Sequence, residues 1–151
     1  MLGFESIWEN KRGHILFQLL EGVDTSSWFW MVEEIESYTG GSDLFSSTSI
    51  NFSTPVISDH ALYEALVSKE VYTIFLNLRG YSEAPKVTCF STYNEFLTSD
   101  CQIAIICYDV TFYEVYAKDK MIIQKIVKNA EKHALSVERF EDETSITRYQ
   151  F

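Results

Sequence analysis

The stretch Cys101-Gln102-Ile103-Ala104-Ile105-Ile106-Cys107-Tyr108-Asp109-Val110-Thr111-Phe112-Tyr113-Glu114-Val115-Tyr116 decides the fold class. Its first half is apolar at nearly every position, the pattern of a strand covered on both faces. Its second half is rich in aromatic and β-branched side chains, which also favour a strand. The link through Asp109-Val110 has no room for a parallel crossover, which takes about a dozen residues, so the two strands are antiparallel neighbours. Residues 135–140 and 145–151, joined by the polar Glu141-Asp142-Glu143-Thr144, form a second such pair.

Upstream, Thr92-Tyr93-Asn94-Glu95 has the T-x-x-E form of a capping box and opens a short helix ending near Ser99. Residues 71–78 predict another interior strand, ended by Gly80 and Pro85. Ser58 is a good N-cap for a helix carrying Leu62, Ala65 and Leu66. Trp28-Phe29-Trp30-Met31-Val32 predicts a strand, and residues 38–57 read as a long Ser/Thr-rich loop holding at most one short strand. Ile15, Leu16, Leu19, Leu20 and Val23 recur at helical spacing over residues 10–21, with Gly22 as the stop, and residues 2–8 suit a short strand. Downstream, Asp119 caps the clearest helix. Ile122, Ile123, Ile126, Val127, Ala130 and Ala134 form its apolar stripe, opposite Lys120, Lys125, Lys128 and Lys132. The order of elements is not the regular alternation of a doubly wound sheet. It predicts one α+β domain over residues 1–151, a mixed, mostly antiparallel sheet packed with about four helices.

Composition narrows the function classes. The chain has 151 residues, 46% of them hydrophobic, enough for the core of one domain. With 22 acids against 12 bases the net charge is −10, the wrong sign for a protein that replaces counterions on nucleic-acid phosphates or binds an anionic membrane. No apolar run approaches the ~20 residues that span a bilayer, and Met1-Leu2-Gly3-Phe4-Glu5-Ser6-Ile7-Trp8 lacks the pattern of a secretory signal, so a cytoplasmic protein is expected. Cys89, Cys101 and Cys107 match neither C-x-x-C nor zinc spacing and are expected to be reduced thiols. The alternation of a strand would place Cys101 and Cys107 on one face with Ile103 and Ile105.

Motifs that would name a reaction are missing: there is no phosphate-binding glycine loop, no G-x-S-x-G and no H-E-x-x-H. His14, His60 and His133 lie far apart, so no metal and no cofactor is expected. Asp59-His60 reads as helix-start chemistry. Two constellations remain. Strand alternation from Trp28 would put Trp28, Trp30, Val32, Glu34 and Glu36 on one face and Glu33 on the other. Residues 1–60 hold nine acids and two bases, so this acidic, tryptophan-bearing region suits a basic protein partner, and the lysine-rich last helix also allows self-association. The plainer account makes the tryptophans core and the acids solvated. Arg79 and Tyr81 leave one interior strand and Asp109 leaves the other, so a polar pocket near Arg79, Tyr81 and Asp109 is the alternative, with an edge ion pair as its bland counterpart.

The run from Thr92 to Cys101, the apolar strand ending at Asp109, Lys118-Asp119 before the last helix, and Asn77-Leu78 in the earlier strand resemble an uncharacterised family of small Bacillus-type proteins, domain of unknown function 2691. The resemblance is strongest over residues 71–119. It implies a bacterial cytoplasmic setting and a compact mixed fold, and it brings no catalytic residues with it. The sequence therefore predicts a non-enzymatic binding module acting through Trp28, Trp30, Glu33, Glu34 and Glu36. A small-molecule-binding protein or enzyme at Arg79, Tyr81 and Asp109 is the second reading.

Overall fold

The structure, a computed structural model, describes residues 1–85 and 90–142. In chain order the elements are β1 (Gly3–Ile7), α1 (Ile15–Leu20), β2 (Phe29–Thr39), β3 (Thr48–Ser49), β4 (Val56–Ser58), α2 (Asp59–Leu62) with a π-helical turn over Tyr63–Val67, β5 (Val71–Tyr81), α3 (Tyr93–Thr98), β6 (Ile103–Tyr108), β7 (Phe112–Ala117), α4 (Lys120–His133) and β8 (Ser136–Phe140). All eight strands join one sheet in the order β3-β2-β5-β6-β7-β1-β8, with β4 also paired to β2. Every pairing is antiparallel, so the protein is a single α+β domain.

Each end of this order has a sequence cause. Ser58 accepts from the Ala61 amide at 3.1 Å, Thr92 and Glu95 form the reciprocal capping box, and Asp119 accepts from Met121 and Ile122, as the sequence predicts. Helix α1 is shorter than its periodicity suggests, since only Ile15–Leu20 are helical and Gly22 turns the chain at φ +75°. The Ser/Thr-rich segment is more ordered than expected. Tyr38 and Thr39 belong to β2, two short strands return beside it, and Arg12 ties the turn by donating to the carbonyls of Gly40, Gly41 and Asp43. The strand expected at 145–151 and Cys89 lie outside the described residues.

The sheet separates two cores. On one side α1, α2 and α4 bury Leu16, Leu19, Leu62, Ile123, Ile126 and Val127 against Leu76, Leu78, Ile105 and Val115. Asn129 of α4, buried there, donates to the carbonyls of Leu19 and Glu21 and so satisfies groups that the end of α1 leaves open. On the other side α3 and the segment before it cover only part of the sheet, with Phe90 and Phe96 packed among Met31, Tyr81, Ala104, Tyr116 and Phe140. Cys101 and Cys107 are free, buried thiols. They do not share a face: Cys101 precedes β6 and joins the second core, whereas Cys107 joins the first.

Between β6 and β7 a three-residue turn places Asp109 at φ +52° and Val110 at φ +68°. That backbone region costs a β-branched residue roughly 1–2 kcal/mol. Val110→Gly is therefore expected to stabilise the protein by about 1 kcal/mol, after the larger chain entropy of glycine is set against the relieved strain. The midpoint of urea unfolding would rise with an unchanged m-value. A midpoint that falls would show that the turn is not strained at Val110.

Candidate functional site

Strand β2 does not keep one alternation along its length. Val32 pairs with Leu78 but Glu34 pairs with Asn77, so Glu33 is one extra residue and forms a bulge. Before the bulge Trp30 and Val32 face the helices. After it Ile35 and Ser37 take that side, and Glu34 and Glu36 turn to the other, in register with Asn77 and Phe75. The expected face shared by tryptophans and glutamates is thereby overturned.

Trp30 is fully buried, donates Nε1–H to Asp59 Oδ1 at 2.8 Å, and stands 5.8 Å from the Trp28 ring. Asp59 stands in the first turn of α2, as expected of helix-start chemistry, and is also the acceptor for Trp30 and for the Thr25 hydroxyl. Both rings lie over Gly80, where an added Cβ would come within 2.9 Å of each. Half-buried Trp28 packs against the same core, so the pair is structural.

Of the polar groups expected in the alternative pocket, Arg79 and Tyr81 share the second core, but Asp109 is not brought to them. Antiparallel pairing sets the carboxyl end of β5 against the amino end of β6, so Arg79 lies opposite Ala104. Asp109 is at the far end, where the Val110 amide donates to the carbonyl of Ile74. The acid that meets Arg79 is instead Glu33, with Nη1 3.5 Å from Oε1. The guanidinium, 2% exposed, also donates to the carbonyl of Phe90 and is covered by its ring at 3.8 Å. Tyr81 is buried beside Cys101. Burial, reinforced by that thiol, pushes the phenol up to about 12, and burial pushes the Cys101 thiol up to about 11. Arg79 here clamps the β2 bulge, β5 and the covering segment together.

Past the edge of that cover, two rows of side chains cross the sheet from strand to strand. One row runs Glu34, Asn77, Ile106, Glu114, Glu5, Glu138. In the next, Glu36 pairs with Phe75, and Tyr108, Phe112, Ile7 and Ser136 follow on β6, β7, β1 and β8. Neither row contains a lysine or arginine. Glu34 and Glu138 are exposed, Glu5 and Glu36 are half-buried, and Phe75 is 39% exposed. The Tyr108 and Phe112 rings stack at 5.0 Å, and the Tyr108 hydroxyl donates to Glu5.

Glu114 differs from the other acids. It is fully buried, accepts from the Tyr116 hydroxyl at 2.7 Å on Oε2, and leaves Oε1 without a hydrogen-bond partner among the described residues. Burial, aided by the facing Glu5 carboxyl and opposed by the Tyr116 bond, pushes its carboxyl up to about 7. The sequence signal for it was a lone acid inside the aromatic strand Phe112–Ala117. Its pairing with Glu5, 109 residues away, has no local signature.

On the helix side an open groove of about 560 Å³ runs past His14, Phe17, Tyr63 and His133. Among the described residues no group of three metal-ligating side chains converges, there or elsewhere, and no helix is long and apolar enough to cross a membrane.

Because folding raises the Glu114 pKa from 4.5 to about 7, the folded state holds its proton more tightly than the unfolded chain. This contribution to stability is complete below pH 4.5 and is lost as pH rises through about 7, on the order of 3 kcal/mol in all. Glu114→Gln keeps an acceptor for Tyr116 and carries no charge. Urea unfolding at a series of pH values is expected to show the variant overtaking the wild type as the medium becomes neutral. Parallel pH profiles for the two proteins would rule this out.

The whole chain, residues 1–151, matches the model of a family described as a protein of unknown function. An uncharacterised protein of Bacillus subtilis (strain 168), YncE, is 26% identical over 139 residues, which cover 92% of this chain and 90% of that protein. No solved structure matches. The fold, the acidic sheet face and the buried Glu114 thus describe a member of DUF2691, the family to which this chain belongs.

Proposed function

We propose that this protein is a cytoplasmic binding module that docks the acidic, aromatic face of its sheet on a basic protein surface. The observation that carries this reading is the pair of cross-strand rows holding Glu34, Glu36, Glu5 and Glu138 beside Phe75, Tyr108 and Phe112, without a lysine or arginine among them. Uncompensated carboxylates steer a cationic partner over long range, and aromatic rings supply contact area once it has arrived. Six strands at ~4.8 Å spacing span roughly 24 Å, close to the width of a standard interface of ~800 Å² per partner. The partner class is the one the acidic composition suggests. The contact residues change, because Trp28, Trp30 and Glu33 serve the core and the Arg79 clamp while Glu34 and Glu36 remain on the surface.

The immobilised protein is expected to retain a basic protein from a bacterial lysate at low salt and release it at high salt. The triple variant Glu34→Gln/Glu36→Gln/Glu138→Gln should lose capture at least tenfold. The control Lys120→Gln/Lys125→Gln/Lys128→Gln, altered on the helix side, should not. Retention of the same partner by the acidic-face variant, or a partner without net positive charge, contradicts the proposal.

A further inference from the structure

Glu114 poses a problem that the docking face alone does not answer. A carboxylate oxygen buried without a donor is costly, and a second carboxylate opposite it raises the cost. Glu5 is that second carboxylate. It occupies the position directly across from Glu114 on the neighbouring strand, where its carboxyl faces that of Glu114. One proton between the two carboxyls removes both penalties, since it supplies the missing donor and cancels one of the two charges.

The surroundings favour retention of that proton. On β7 Tyr116 donates to Glu114, on β6 Tyr108 donates to Glu5, and Ile106 separates Glu114 from Asn77. On β8 the flanking residue is another acid, Glu138, and from α3 Tyr93 contributes a ring at 6.1 Å from that of Tyr116. Glu114 is wholly inside, but Glu5 is half-buried and so connects the pair to the surface where a partner would sit.

We propose that Glu5 and Glu114 share a single proton and that a cationic partner on this face expels it, so that binding tightens as the pH rises. An ammonium or guanidinium brought to Glu5 stabilises the doubly ionised pair, and the displaced proton passes to solvent. By linkage, one proton released per complex steepens the affinity by up to about tenfold per pH unit over the range in which only the free protein retains it. The inference rests on the docking reading for its partner but not for the pair itself.

The test uses the full chain with an oligolysine peptide, whose side chains stay charged across the neutral range. Carbon-detected NMR of the free protein is expected to show one glutamate carboxyl titrating near neutrality, and this titration should move down in Glu5→Gln, which removes the facing carboxyl and leaves the burial of Glu114 in place. Calorimetry should then show peptide affinity rising with pH in the wild type and staying flat in both Glu114→Gln and Glu5→Gln, each first checked for cooperative unfolding. Ordinary titration of every glutamate overturns the shared proton without the help of any variant. Peptide binding that is independent of pH in the wild type, or equally pH-dependent in the variants, overturns the coupling and leaves the docking reading standing. Absence of binding at every pH overturns both.

Discussion

Strand β2 spends one residue more than its partner between Val32 and Glu34, and the faces of the molecule follow from that extra residue. A strand has a side-chain period of two, so one additional residue moves every later side chain to the opposite face. Here the exchange keeps Trp30 and Val32 among the helices, and it restores Ile35 and Ser37 to that side farther along the strand. Glu34 and Glu36 are released to the opposite face. The bulged residue itself, Glu33, is the one that reaches Arg79. Without the bulge, two glutamates would point into the helix-side core.

The second core is polar where the first is not. Among the described residues, all the buried side-chain atoms without hydrogen-bond partners belong to Asn77, Arg79, Tyr81 and Glu114, and all four residues stand on the face away from α1 and α4. Arg79 is held by an acid, a carbonyl and an aromatic ring, a combination that makes a buried cation tolerable and its loss damaging. Glu114 has a hydroxyl donor and an opposing carboxyl, and burial moves its titration toward neutrality. The two charged groups differ in role for a physical reason: Arg79 is sealed beneath Phe90, whereas Glu114 communicates with the surface through half-buried Glu5.

Local chemistry made much of the fold legible. The caps at Ser58, Thr92 and Asp119 depend on side chains within three residues of the amides they satisfy. The β6–β7 hairpin needs only a short turn between two apolar runs. The reading failed where two distant segments had to be aligned. Arg79 and Asp109 both follow apolar runs, which suggested a common end, but antiparallel pairing separates them by the length of β6. Glu5, Glu114 and Glu138 became neighbours only because β1 inserts between β7 and β8.

The sequence by itself determined the fold class, the caps and the sign of the net charge, because each follows from composition or from contacts between near neighbours. Tertiary structure alone decided which acids share a surface, which acid meets Arg79 and which acid is buried. Those outcomes depend on strand register and on one bulge. Register is set by how two opposed cores are filled at once, a condition on the whole chain that no window of sequence contains.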